Sequence, residues 1–245
     1  MTRFKVSLLL ALFITACAPV YKQTFYANST NLPKRFMKNK DATVQVLLKK
    51  NGRPIGLGTG MVVEKNGRVV TAYHVISSRK IQMQDLLKPP IYSIFVCDVI
   101  KGERDCKEAK LMAKDKQHDI ALLSVNRKFS SVVKFVDDHE LKDGDDVYVW
   151  GNISLLAPIS SVFGKYANRL KQPYSNPDNF IASLPLLLFD FSTVHGLSGS
   201  PVFNTSGKCV GMVDALTLRA SGSIFGIAIP SSTIMEFLKN NAPAK

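Results

Sequence analysis

Gly196-Leu197-Ser198-Gly199-Ser200-Pro201 sets one hydroxyl between two glycines. A serine hydroxyl attacks a carbonyl only when a base takes its proton and something stabilises the oxyanion that forms. Glycines on both sides let the backbone turn tightly and aim its N–H groups into a pocket. Two segments upstream supply the missing partners. Thr71-Ala72-Tyr73-His74 offers a base, and His118-Asp119-Ile120-Ala121-Leu122-Leu123 offers an acid to orient it. The chain order is base, acid, nucleophile.

The chain has four histidines, His74, His118, His139 and His195. His139 sits among charges and reads as a surface residue. His118 lies in a polar turn. His195 precedes the serine closely enough to line a cleft or to shape its loop. His74 alone follows an apolar strand, Val69-Val70-Thr71-Ala72, that can carry a base to the edge of a barrel. Asp119 opens an apolar strand, so its carboxylate is partly buried and needs a partner. An imidazole N–H is such a partner, and that bond fixes the tautomer whose other nitrogen accepts the serine proton. Ser198 is preferred to Ser200 because it lies between the glycines. The backbone N–H groups of Gly196 and Ser198 are the expected oxyanion donors.

From Thr43 onward the chain is a series of short apolar runs broken by turns. Met61–Lys65 and Arg68–Ala72 flank Asn66-Gly67, a strong hairpin signal. Further strands are predicted over Tyr92–Val99, Ala109–Ala113 and Ile120–Val125, completing a first barrel near residue 130. A polar stretch from Arg127 to Asp146 reads as the crossover. The second half predicts strands over Val147–Trp150, Ser160–Tyr166, Asn179–Leu188, Pro201–Phe203, Lys208–Leu218 and Ser223–Ile229, with a loop over Lys171–Asp178. Ser231 and Ser232 can cap a last helix over Thr233–Asn240, whose Ile234, Phe237 and Leu238 share one face.

Five segments together resemble the trypsin-like serine peptidases of the chymotrypsin fold, in particular the bacterial HtrA/Deg-type protease domain. They are Gly58-Thr59-Gly60, Thr71-Ala72-x-His74, Asp119-Ile120-Ala121-Leu122-Leu123, Gly196-x-Ser198-Gly199-x-Pro201 and Gly226-Ile227-Ala228-Ile229-Pro230. The base-acid-nucleophile order is that of chymotrypsin, not of subtilisin or the α/β-hydrolases. Two positions depart from the pattern: Ser200 stands where that family has glycine, and Leu197 where it has Asn or Asp. The resemblance implies an all-β fold of two antiparallel six-stranded β-barrels with a short C-terminal helix. It implies a serine endopeptidase working through His74, Asp119 and Ser198, with protein or peptide substrates and no cofactor. By the same resemblance the primary substrate pocket involves Ser192, Thr193, His195, Ile227 and Ala228. Ser192 carries no charge and the wall is apolar, so aliphatic side chains are expected there and Lys or Arg disfavoured. Glutamate is the alternative, through Thr193 or His195. The reading from another class is a pseudoprotease, the same fold kept as a binding module.

The N-terminus reads as separate from the fold. Arg3 and Lys5 precede an apolar run from Val6 to Ile14, too short to span a bilayer and typical of a secretory signal. Its end, Ile14-Thr15-Ala16-Cys17, resembles the bacterial lipobox, which implies lipidation of Cys17 and a membrane anchor. With Ala18 following, the resemblance implies the outer membrane, facing the periplasm. Residues 1–16 are then a signal peptide, 17–41 a tether, 42–235 a peptidase domain and 231–245 a helix and tail, with no room for a C-terminal PDZ domain. In an oxidising compartment, Cys97 and Cys106 are spaced to close a hairpin as a disulfide. Cys209 lies in an apolar strand and reads as a small buried hydrophobe. No Cys/His spacing resembles a metal site, so none is expected.

The full chain has 245 residues, with 32 Lys and Arg against 19 Asp and Glu. The excess reads first as a solvated basic surface. Lys22, Lys34, Arg35, Lys38 and Lys40 follow Cys17, where they could also meet anionic headgroups. No nucleic-acid motif is present, and none is expected as a partner. Asn28, Asn152 and Asn204 match the glycosylation pattern only by chance. Nothing in the sequence speaks to oligomeric state.

Overall fold

The computed structural model describes residues 34–77, 91–100, 103–152, 159–170, 174–175, 181–182, 185–191, 196–218 and 224–242. Two closed antiparallel barrels dominate it. The first is built from β1 (Thr43–Lys50), β2 (Arg53–Glu64), β3 (Arg68–Ala72), β4 (Tyr92–Ile100), β5 (Glu103–Asp115) and β6 (Ile120–Val125), in the spatial order β1-β2-β3-β6-β5-β4. The second uses β7 (Asp146–Gly151), β8 (Ser160–Leu170), β11 (Leu186–Asp190), β12 (Pro201–Asn204), β13 (Cys209–Leu218) and β14 (Ile224–Pro230), in the order β11-β14-β13-β12-β7-β8. β9 (Tyr174–Ser175) and β10 (Ile181–Ala182) form a separate two-stranded ladder. The continuous strand predicted over Asn179–Leu188 is instead divided between β10 and β11.

The strands follow from the apolar runs. Val69, Val70 and Ala72 of β3 and Ile120, Ala121, Leu122 and Leu123 of β6 are fully buried. At about 25 cal/mol per Å² of apolar surface, burying such side chains is the main force closing each barrel. The β2–β3 turn differs from the two-residue form that Asn-Gly suggests. It spans Lys65–Gly67, Gly67 alone takes a left-handed φ of 104°, and the register slips between Val62 and Glu64. That is the three-residue loop in which glycine supplies the one left-handed position.

Cys97 and Cys106 lie directly opposite each other in β4 and β5 and are bonded as a disulfide. Cys209 is a free, buried thiol, pushed up to about 12 by burial, so it stays protonated and inert.

Part of the stretch expected as a tether is folded. Lys34–Lys40 forms a short helix, α1, which docks on the second barrel. The Phe36 ring meets Tyr148 edge-on at 4.4 Å, the Trp150 indole N–H donates to the Phe36 carbonyl at 2.8 Å, and Asn39 Nδ2 donates to the Tyr148 hydroxyl at 2.7 Å. Two buried aromatics thus find partners for their polar tips in this helix.

The C-terminal helix, α3 (Ser231–Asn240), begins two residues earlier than predicted and is not capped by its own serines. Its first turn is held from a distance by Asp138, in the crossover between the barrels. The Asp138 carboxylate accepts from Ser232 N at 2.8 Å, from Ser231 Oγ at 3.2 Å and from Arg169 Nη2 at 2.5 Å. Burial alone would raise the carboxyl's pKa, but the bonds from Arg169 and Ser232 outweigh it and hold it below the ordinary carboxylate value. Asp138→Ala is therefore expected to cost roughly 3 kcal/mol, since it strands a guanidinium and a helix N-terminus together. A depressed folded pKa stabilises above the unfolded value, and the benefit is lost as pH falls through the folded one. In urea titrations the gap between wild type and Asp138→Ala should be full near neutrality and close below about pH 4. A gap that persists unchanged to acid pH would disprove the assignment.

Candidate active site

Register brings the expected base, His74, and the expected acid, Asp119, together. β3 and β6 are antiparallel with Ala72 opposite Ile120, so the residues just after β3 and just before β6 share one end of the barrel. After β3 the chain makes a single helical turn, α2 (Tyr73–Ile76), carrying His74. Before β6, Asp119 takes a left-handed φ of 56°, a conformation that aspartate tolerates better than most residues. This turns all three of its oxygens toward α2. The Asp119 carbonyl accepts from Tyr73 N at 2.9 Å, Oδ1 accepts from His74 N at 2.8 Å, and Oδ2 is in short contact with His74 Nδ1. Asp119 is fully buried, whereas the His74 side chain keeps 22% of its surface exposed. A buried carboxylate with these partners favours the proton on Nδ1, which leaves Nε2 as an acceptor.

The loop of Ser198, the expected nucleophile, comes from the second barrel and is fastened to the first through Thr59 in β2. Thr59 N donates to the Ser198 carbonyl at 2.8 Å, and its hydroxyl donates to the Gly196 carbonyl at 2.7 Å. The Thr59 carbonyl and hydroxyl are held in turn by Thr71 Oγ1 at 2.6 Å and Asn152 N at 2.9 Å. On the other side, Gly199 N donates to the Val213 carbonyl at 2.7 Å and Val213 N to the Ser200 carbonyl at 2.8 Å, extending the β12–β13 ladder into the loop. Ser198 is left part-exposed, its hydroxyl donating to the Asp214 carbonyl at 3.2 Å rather than to His74. Catalytic hydrogen bonds often tighten only with substrate in place. Among the described residues, the Gly196 and Ser198 N–H groups are not used by any hydrogen bond of the loop.

Two of the other histidines have partners of their own. His118 Nδ1 pairs with Asp115 at 2.6 Å, and His139, 67% exposed, pairs with Asp137 at 2.7 Å. Ser192, Thr193, His195 and Cys17 lie outside the described residues. Ile227 and Ala228 lie in β14. β14 runs mid-sheet between β11 and β13, each of the two side chains packs into a different apolar cluster, and both are fully buried. Phe191 also lies against this strand, so close that a Cβ on Gly226 would come within 2.4 Å of its ring.

Sequence reading missed Thr59 and Asp214. Thr59 gave no signal beyond its place in Gly58-Thr59-Gly60. Asp214 gave a plain one, a carboxylate inside the apolar run Cys209–Leu218. His74, Asp119 and Asp214 together bring ligand-type atoms within 4.8 Å of one another, as do Asp137, Asp138 and His139. In each set a carboxylate already serves the protein, Asp119 bonding His74 and Asp138 bonding Arg169 and Ser232.

A family model described as a trypsin-like peptidase domain matches residues 58–212, a span that runs from ahead of Thr59 to beyond Ser198. The chain belongs to the trypsin-like peptidase family. Similar to this trypsin-like peptidase is a probable periplasmic serine endoprotease DegP-like from Brucella suis biovar 1, 32% identical over 187 residues, covering 74% of this chain and 32% of the relative. Its counterpart in Bartonella henselae is 31% identical over 195 residues, covering 76% and 33%. The chain thus spans about a third of the length of these curated relatives. The crystal structure of Deg5 superposes with a TM-score of 0.63 at 23% identity, covering 83% of this chain and 90% of that one, and shares the fold.

Proposed function

We propose that this trypsin-like peptidase is a serine endopeptidase acting through His74, Asp119 and Ser198. The observation that carries the reading is the grip of Asp119 on Tyr73 and His74, which orients the imidazole and leaves Nε2 to accept a proton. On substrate binding the Ser198 hydroxyl turns from the Asp214 carbonyl to His74 Nε2 and attacks the peptide carbonyl. The proton passes to Nε2, and the oxyanion is met by the N–H groups of Gly196 and Ser198, the usual largest contribution to such catalysis. His74 returns the proton to the leaving amine. Water then hydrolyses the acyl-enzyme by the same route. Substrates are proteins or peptides, with an aliphatic side chain at the cleaved position. The peptidase domain occupies about residues 42–235.

Lipidation at Cys17, after the apolar run and Ile14-Thr15-Ala16, tethers the domain to a membrane of the bacterial envelope. The periplasmic naming of the DegP-like relatives supports that compartment. The Ser198–Asp214 hydrogen bond favours one other reading, a binding module of the same fold without turnover.

One experiment separates these. The protein, purified from membranes, is treated with a fluorophosphonate and its peptides are mapped by mass spectrometry. A phosphonate on Ser198, lost in Ser198→Ala and His74→Ala, is expected, together with acyl chains on Cys17. An unlabelled Ser198 rejects the enzyme, and an unmodified Cys17 rejects the anchor.

A further inference from the structure

β13 carries a fault at the site. Val213 pairs with Ala228 and Ala215 with Ile227, so Asp214 is the extra residue of a bulge in the β13–β14 ladder. A β-bulge of this kind re-aims a side chain. Here both ends of the residue face the catalytic groups. The Asp214 carbonyl accepts from Ser198 Oγ, sixteen residues before it, at 3.2 Å. Its carboxylate Oδ1 lies 3.7 Å from His74 Nδ1, with only 2% of the side chain exposed. Nδ1 has one proton, and Asp119 Oδ2 holds it at shorter range. Asp214 therefore lies beside the imidazole without taking its Nδ1 proton.

We propose that Asp214 is a positioning residue for the reaction, a second carboxylate that stabilises the protonated imidazole formed when Ser198 attacks. The proposal rests on the endopeptidase reading. Opposite charges at this range, with the carboxylate buried and the imidazole only part-exposed, interact more strongly than a surface pair. Among the described residues, other charged groups on the elements around α2 have partners elsewhere. Asp115 pairs with His118, Lys114 lies over the Tyr73 ring, Arg68 pairs with Glu64, and Lys49 lies over the Phe95 ring. Among the described residues, that leaves Asp119 and Asp214 as the two carboxylates that face Nδ1.

The experiment compares pH profiles of kcat/KM for wild type, Asp214→Asn and Asp214→Glu on one peptide, with fluorophosphonate labelling of Ser198 in each. With one negative charge removed, the imidazolium is less favoured and the free base survives to lower pH. The acidic limb of Asp214→Asn should move down by about 1 unit. Its plateau kcat should fall about tenfold with KM nearly unchanged, since the charge acts when the imidazolium forms. Asp214→Glu should restore most of both. Asp214→Ser, which also removes the charge with a smaller side chain, replaces the amide variant if that one does not fold. A labelled, active wild type whose charge-removed variant keeps the wild-type limb and plateau overturns the inference alone. That is also the result if Asp214 carries its own proton and resembles an amide. A wild type that is neither labelled nor active overturns the endopeptidase reading and this inference with it.

Discussion

Asp119→Asn is expected to lower kcat by about 10⁴-fold while leaving KM and folding close to wild type, the size typical of a triad held in the wrong tautomer. The contacts say why the loss is so large for a change of one atom type. An asparagine can still accept from His74 N through its oxygen and can keep its own carbonyl on Tyr73 N, so α2 stays in place. What changes is the atom facing His74 Nδ1, now an NH₂ group instead of a carboxylate oxygen. Nδ1 must then accept, the ring proton moves to Nε2, and the nitrogen facing Ser198 can no longer take a proton. Steady-state kinetics with thermal unfolding on the same sample check this. A variant with kcat near wild type would remove Asp119 from the mechanism.

Gly199→Ala is expected to act on the fold and the chemistry together. Gly199 has φ of +86°, and a Cβ there would lie 2.0 Å from the Thr59 carbonyl oxygen and 2.6 Å from Thr71 Oγ1. Neither neighbour can retreat. The Thr59 carbonyl is held by Thr71 Oγ1 and sits in β2, and the Gly199 N–H is bonded to Val213. The left-handed backbone alone costs an alanine roughly 1–2 kcal/mol, and the collision adds to it. The loop must leave Thr59, which separates the nucleophile from the base. A loss of roughly 3 kcal/mol or more in stability is expected, with Ser198 labelling abolished. Wild-type melting and labelling would show that the loop is not clamped in this way.

What could be read from the amino acids divides along a physical line. Both barrels were legible because β-strands announce themselves locally, by apolar runs and by turn residues such as Asn66-Gly67. His74 and Asp119 were legible for a related reason, each standing at the end of an apolar strand where a polar group needs a purpose. The features that escaped all depend on partners far along the chain. Ser231 and Ser232 were expected to cap α3 because a cap is usually local, yet the acceptor is Asp138, about 90 residues earlier. Thr59 serves through bonds to Gly196 and Ser198 that no window around residue 59 reveals. Residues 34–40 are mostly polar because α1 buries few side chains, so their docking on Tyr148 and Trp150 had no periodic signature.

The threonine stitch between the barrels carries one last consequence. On the proposed reading the base and its carboxylate belong to the first half of the chain and the nucleophile to the second, and the two halves meet across Thr59. A chain that has folded only its first barrel therefore holds no weapon. One that has folded only its second holds a hydroxyl as dull as any other serine's. On that reading the site is complete only when folding is complete, and an unfinished molecule has no means to digest its neighbours while it is being made.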